Sequence, residues 1–299
     1  MRYIPSDRLL IFNSGQQVLP PGFEMERACE AVVDKEVRVY KRFKKVLAGK
    51  AVGFRFQLGP VIVDHFVGDA EPHISAHEGP LRRVTWQPTT RRDLPSGWHE
   101  TISKSPLKRS GFVQVDGRSD YDKTWTQHAR RHKRNWLKQD QWEIREIGLQ
   151  AFLDAYWKSP KDAILKALFT HFLRKKVEAH GPYVHLAAVV KKGKPEEIGA
   201  GFAFVDMPEA KQSVHTISFV HRAAKDSSAG TGLIDYWFQH AVKNKIEFLN
   251  FGNYWAPGCP ADWIGFSEFK AQFGITLIDH PNQVARFAGT WKELFTGHR

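Results

Sequence analysis

The order of apolar and polar residues is hardest to interpret in the first third of the chain. Val39, Phe43, Val46 and Leu47 recur at helical spacing within a strongly basic segment and predict a helix. Val52-Gly-Phe-Arg-Phe-Gln-Leu58 alternates apolar and polar residues, as a half-buried strand does. Gly59-Pro60 then marks a turn, with Val61-Ile-Val63 as the returning strand. Residues 68–110 are rich in Pro, Gly, Thr and Arg and read as a loop-dominated connection between two lobes.

From Gly111 onward the pattern sharpens. Phe112–Val115 predicts a short strand, and Asp120 caps a helix reaching Gln139. Leu149, Phe152, Leu153, Tyr156 and Trp157 form one apolar helical stripe. Ile164, Leu165, Leu168, Phe169, Phe172 and Leu173 form another. Tyr183–Val190 and Ile198–Val205 flank the polar turn Lys191-Lys-Gly-Lys-Pro195 and predict an antiparallel hairpin. Val214–Val220 is a third strand. A helix follows from Gly230 and Gly232, with Leu233, Ile234, Trp237 and Phe238 on one face. Phe248–Phe251 reads as a fourth strand, Phe266–Phe273 as a short helix and Ile275–Ile278 as a fifth strand.

Composition narrows the class. With 299 residues, 42% of them hydrophobic and ten tryptophans among them, the chain can bury a substantial core. Its two cysteines, Cys29 and Cys259, form no CxxC pair and no metal-ligand spacing, which suits a reducing compartment. The opening Met-Arg-Tyr-Ile-Pro-Ser-Asp-Arg lacks the apolar core of a signal peptide, and no apolar run approaches the roughly 20 residues of a membrane span. A cytoplasmic protein is expected. The formal charge of +12 favours an anionic partner: a nucleotide-bearing cofactor, RNA or a membrane surface.

Three passages carry a family resemblance. The first is the basic helix Trp125-Thr-Gln-His-Ala-Arg-Arg-His-Lys-Arg-Asn-Trp136. The second is the hairpin and strand leading to Leu233-Ile-Asp-Tyr-Trp-Phe-Gln-His-Ala241 and Phe248-Leu-Asn-Phe-Gly252. The third is Gly265-Phe-Ser-Glu-Phe-Lys-Ala-Gln-Phe-Gly274. In this order they resemble the GNAT acyltransferase superfamily, and within it the FemAB-type branch, whose members include the enzymes that add amino acids to peptidoglycan bridges. The resemblance covers roughly residues 110–290. It implies an α/β (α+β) fold with a GNAT-like mixed, mostly antiparallel sheet flanked by helices. The acyltransferase domain would span residues 111–299. Residues 1–110 leave room for a reduced N-terminal lobe, a degenerate GNAT-like half, where FemAB-type proteins usually have two full lobes. No long charged helical hairpin of the kind some tRNA-dependent members carry is visible.

The candidate chemistry follows. Glycines before a helix let backbone N–H groups approach phosphate oxygens, with the helix dipole adding attraction. Ser228, Ala229, Gly230, Thr231 and Gly232 are therefore expected to hold phosphate, which the resemblance implies is the pyrophosphate of coenzyme A, although Ser227 stands where GNAT enzymes have Gln or Arg. Arg130, Arg131 and Arg134, with Lys133 and Lys138, would grip phosphates of a cofactor, a lipid-linked sugar diphosphate or tRNA. Acyl transfer needs a proton acceptor and donors aimed at the developing oxyanion. Strict alternation places His215, Ile217, Phe219 and His221 on one strand face, so His215 or His221 is expected as general base, with Asp206 as a carboxylate alternative. Asn253 and Tyr254 are expected to orient substrate.

In the third passage, Phe266, Phe269 and Phe273 read as a core stripe, Gly274 as a left-handed helix stop and Lys270 as an anion contact. No metal site is expected, since His73-Ile-Ser-Ala-His77-Glu78 lacks the HExxH order. Ala48-Gly-Lys50 likewise lacks the rest of a phosphate loop. The sequence thus reads as a cytoplasmic N-acyltransferase that moves an acyl group from a coenzyme A thioester to an amine through a tetrahedral intermediate. One alternative donor is aminoacyl-tRNA, with a peptidoglycan precursor or peptide as acceptor. Another reading is a non-catalytic RNA- or anion-binding protein on the same fold.

Overall fold

The computed structural model describes residues 22, 24–58, 61–74, 81–89, 93–101, 109–115, 117–257, 259, 261 and 263–289. The helices are α1 (Met25–Val39), α2 (Gln127–Lys138), α3 (Leu149–Trp157), α4 (Ala163–His180), α5 (Ala229–Lys243) and α6 (Trp263–Lys270). The strands of the first third are β1 (Lys44–Ala48), β2 (Ala51–Leu58), β3 (Val61–Val67), β4 (Arg82–Gln87), β5 (His99–Glu100) and β6 (Arg109–Gln114). Those that follow are β7 (Trp142–Glu146), β8 (Val184–Lys191), β9 (Lys194–Met207), β10 (Gln212–Val220), β11 (Phe248–Asn253), β12 (Thr276–Asp279) and β13 (Val284–Ala288). The fold is mixed α/β, with two mostly antiparallel sheets flanked by helices.

The chain divides into two compact units. One takes residues up to Ser110 together with Asn253–Ala261 and the segment from Ile278 onward. The other is Gly111–Gly252 with Asp262–Leu277. Among the described residues, 278–289 thus group with the first unit.

In the first unit a sheet of order β1-β2-β3-β4-β13-β5 buries Phe66, Val84, Trp86 and Val284. β3 and β4 pair in parallel, and the other described pairings are antiparallel. Two expectations fail here. The helical spacing from Val39 to Leu47 is split, because α1 ends at Val39 and Lys44–Ala48 is a strand. The cause is the two-residue turn Gly49-Lys50, with Gly49 at φ +66°, which folds β1 back on β2 from the pair Ala48–Ala51. Ala48-Gly-Lys50 is thus a hairpin. The supposedly loop-dominated stretch 68–110 contains β4, which lies inside the sheet. Gly59-Pro60, the His77-Glu78 half of the rejected metal motif and the N-terminal Met1–Arg8 lie outside the described residues.

The second unit is framed by a sheet of order β12-β6-β11-β10-β9-β8-β7. α2 and α5 cover one face, with Trp136, Phe202, Phe204, Trp237, Phe238 and Phe251 in its core. α3 and α4 cover the other, over Phe152, Leu153, Leu173, Ile217 and Phe219. The predicted hairpin is present as β8–β9. Thr126, not Asp120, caps α2: its hydroxyl accepts from the Ala129 amide, while Tyr121–Thr124 forms a separate 3-10 turn. The apolar stripe of α4 is only partly buried. Leu173 is enclosed, whereas Ile164, Leu165 and Leu168 are exposed.

Candidate active site

β10, α5 and β11 form a parallel strand–helix–strand unit. In such units ligands meet the sheet beyond the C-terminal ends of the strands, beside the helix N-terminus. β10 and β11 pair only at Gln212–Phe248, Ser213–Leu249 and Val214–Asn250. Beyond Val214 the β9–β10 register skips Thr216, so a bulge lies between His215 and Ile217. Gly252, at φ +69°, gives its amide to Asn250 Oδ1 at 2.8 Å and turns β11 away. The two strands thus part where the bulge lies.

The bulge overturns the expected alternation. His215 pairs with Phe204 and stacks on Phe202, on the α5 face. Ile217 pairs with Ala203 and lies with Phe219 in the α3/α4 core. One extra residue reverses side-chain parity, so the four residues do not share a face.

Several basic groups converge at the bulge. Lys270, 9% exposed, donates from Nζ to the Phe251 carbonyl at 2.6 Å and lies 4.7 Å from the Phe266 ring centroid. Burial, with the charge of Lys161 second, lowers its pKa to about 7. His215 also hydrogen-bonds the Phe251 backbone, while burial first and Lys270 second hold its pKa far below the ordinary range. A carbonyl can only accept, so the imidazole nitrogen facing Phe251 carries the proton. Nε2 is left as a lone-pair acceptor, and it is buried with no hydrogen-bond partner among the described residues. Thr216 Oγ1 is buried and unpartnered as well. Lys161 donates to the Ser218 carbonyl at 2.8 Å, its pKa lowered by burial.

The other proposed catalytic residues lie elsewhere. His221 hydrogen-bonds the Ala155 backbone, and its amide donates to Gly199 O at 2.8 Å. That makes it a strand-end anchor. Asp206 Oδ2 meets His185 Nε2 at 3.1 Å and His240 Nε2 at 2.7 Å. Burial raises the Asp206 pKa, but hydrogen bonds from His185, His240 and Ser213 outweigh it and hold the carboxyl at about 2.

The glycine-rich turn opens α5 as expected, from Ser228 in the left-handed conformation at φ 61°. Gly232 gives its amide to Ser228 O at 3.0 Å, so Ala229, Gly230 and Thr231 supply the first-turn N–H groups without intrahelical acceptors. A Cβ on Gly232 would lie 2.4 Å from Trp136, so close packing of α2 on α5 already requires that glycine. One on Gly230 would meet Phe269 at 3.4 Å. Ser227 gives its hydroxyl to Ala224 O at 2.7 Å, and His132 Nδ1 lies 2.8 Å from Ser228 Oγ.

On α2, the exposed Arg130 and Arg134 line a depression of about 350 Å³ with Gln127. Arg131 Nη2 lies 3.2 Å from His128 Nδ1. Lys133 is not part of the free basic face, because it bridges Asp122 at 3.0 Å and the buried Asp235 at 2.9 Å. Asn253 and Tyr254 fall in the first unit, where the buried Tyr254 donates its amide to Arg109 O at 2.8 Å. In α6 the phenylalanine stripe is only partly core: Phe273 is buried and Phe269 exposed, while the polar Ser267 and Lys270 are enclosed. Gly274 does adopt the left-handed stop, at φ 72°.

FemX is similar in structure over 95% of this chain and 96% of its own, with a TM-score of 0.61 and 9% identity. The chain has a FemX-like fold. A conserved protein of unknown function from Bacteroides thetaiotaomicron VPI-5482 aligns over 88% of this chain and 94% of its own, with TM-score 0.55 and 12% identity. A tandem GNAT protein from the clavulanic acid biosynthesis pathway aligns over 93% and 91%, with TM-score 0.48 and 11% identity. At these identities the likeness is one of fold. No protein-family model matches the chain, and no curated protein matches it. No helix among the described residues is long and apolar enough to cross a membrane.

Within this FemX-like fold, sequence reasoning missed Lys161, Thr216, His132, His185 and His240. The first two become visible only through the bulge. The three histidines sit in different elements from their partners, and spacing along the chain carries no trace of those contacts.

Proposed function

We propose that the chain is an acyltransferase that joins an activated acyl group to an amine at the bulge of β10. The observation that carries this reading is a pair of consecutive residues, His215 and Thr216, each with a buried polar side-chain atom lacking a partner. Buried polar groups are almost always satisfied, so two adjacent polar atoms unpartnered among the described residues of an opened sheet favour a site for a polar ligand. The low-pKa amine of Lys270 shares the Phe251 backbone with His215. The acceptor nitrogen attacks the acyl carbon, a C–N bond forms, and the carbonyl π pair moves onto oxygen. Lys270, as ammonium, stabilises that oxyanion. His215 Nε2 accepts the proton released by nitrogen and returns it to the leaving group as the carbon–leaving-group bond breaks.

The donor we favour is a coenzyme A thioester, its pyrophosphate held by the first-turn amides of Ala229, Gly230 and Thr231, with His132 alongside. The second reading is an aminoacyl-tRNA donor. It is favoured by the packing role of Gly232, the hydroxyl bond of Ser227 to Ala224 and the exposed Arg130–Arg134 pair. Either suits a cytoplasmic enzyme with free thiols at Cys29 and Cys259. Calorimetric titration with coenzyme A tests the first reading, and saturable binding lost on substitution of first-turn residues supports it. Absence of binding at millimolar ligand removes it. The tRNA reading then stands or falls on transfer from charged tRNA to an amine.

A further inference from the structure

We propose that His185, Asp206 and His240 form a binding site for a divalent transition-metal ion of the zinc type. The three side chains come from β8, β9 and α5, and they offer His185 Nε2, Asp206 Oδ2 and His240 Nε2, all within 4.8 Å of one another. The two nitrogen-to-oxygen separations are 3.1 and 2.7 Å. Tetrahedral ligands around zinc, with bonds of about 2.0–2.1 Å, stand roughly 3.3 Å apart, so small rotamer adjustments admit an ion. Two imidazoles and one carboxylate match the borderline-soft preference of zinc and leave one coordination position for water or another ligand.

The surroundings of the cluster suit an ion as well. Asp206 Oδ2 meets both histidines, on a side chain 10% exposed, and Ser213 hydrogen-bonds the same carboxylate, as the carboxylate of a metal site is itself held. The outer contacts are also those of a metal-bound imidazole. His185 Nδ1 faces Glu146 Oε1 at 3.2 Å, and Tyr236 donates its hydroxyl to the same oxygen at 3.0 Å. A carboxylate there fixes the ring orientation and leaves Nε2 to the ion. Phe204 walls the site, stacked on His185 at 4.8 Å and edge-on to His240 at 5.0 Å. An ion would tie β8 and β9 to α5.

The test uses the full, untagged chain, stripped with chelator and titrated with Co²⁺ by absorbance and with Zn²⁺ by calorimetry. One ion per chain is expected, with the intense ligand-field bands of four- or five-coordinate Co²⁺. Zn²⁺ should also raise Tm. His185→Gln and His240→Gln should abolish both effects. Glu146→Gln, whose side chain is half exposed and contacts His185 from outside, should weaken affinity about 10–100-fold and keeps the test decisive if a ligand variant misfolds. Absence of saturable binding, or binding unchanged in all three variants, overturns the proposal.

Discussion

His215 and Lys270 meet at one backbone unit: the imidazole of β10 and the ammonium of α6 both hydrogen-bond to Phe251. The arrangement couples their protonation. The nearby ammonium helps keep the imidazole neutral, and burial makes the ammonium itself costly, so its proton is held loosely. A buried cation beside an unpartnered acceptor contributes little to folding. It does suit a reaction in which negative charge develops on oxygen while nitrogen loses a proton.

Replacing Lys270 should therefore separate activity from stability. Lys270→Met keeps the volume and removes a buried charge whose desolvation is expensive. We expect Tm equal to or above that of the wild type, while kcat for acyl transfer falls about 10²–10³-fold, the usual cost of one oxyanion donor. Thermal melts and single-turnover rates check both halves. A Tm loss with the rate preserved would make Lys270 a structural residue.

The same amine predicts a pH dependence of stability. Its native pKa of about 7 lies below the ordinary value of 10.5, so between these values the unfolded chain holds a proton the native state lacks. Stability contributed by this group is then fully present above about pH 10.5 and is lost as pH falls toward 7. The full span is on the order of 5 kcal/mol. Denaturant midpoints from pH 7 to 9 should rise in the wild type relative to Lys270→Met. Parallel curves would contradict the assignment.

Legibility followed local regularity. α3 is readable because its apolar stripe repeats at helical spacing, and the β8–β9 hairpin because two apolar runs flank the polar turn Lys191-Lys-Gly-Lys-Pro195. β4 was hidden because Arg82 and Arg83 precede the short alternation Val84-Thr85-Trp86 within a Pro- and Gly-rich stretch. The bulge at Thr216 defeated period-two counting, which sent His215 to the wrong face. In α6, the i, i+3, i+7 spacing of phenylalanines suggested a core stripe, yet the helix tightens to 3-10 at Ala271–Phe273 and buries Lys270 against Phe251. The Asp206 cluster joins residues 185, 206 and 240, and no local pattern links positions so far apart. Family order located the glycine-rich turn, but only packing distances separate the role of Gly232 from that of Gly230.

Those two glycines should behave differently as alanines. Gly232→Ala drives a methyl into the Trp136 ring and should cost about 1–3 kcal/mol. Gly230→Ala meets Phe269 at ordinary contact distance and should leave stability within about 0.5 kcal/mol. If first-turn amides hold a pyrophosphate, Gly230→Ala should weaken coenzyme A binding with Tm unchanged. Binding and stability both at the wild-type level would remove that turn from the donor site.

The cations of α2 should divide in the same manner. Lys133 neutralises Asp235, a carboxylate 2% exposed that also accepts from Tyr121 Oη at 2.8 Å. Lys133→Met strands that charge and should cost about 3–5 kcal/mol. Arg130→Ala and Arg134→Ala remove exposed side chains and should leave stability within about 0.5 kcal/mol. If the pair contacts nucleic-acid phosphates, each substitution lowers the slope of log affinity against log salt by about 1 and weakens binding across all sequences alike. Equal RNA affinity and slope in the double variant would assign the depression on α2 to a smaller anion, which a coenzyme A titration of the same variant would then reveal.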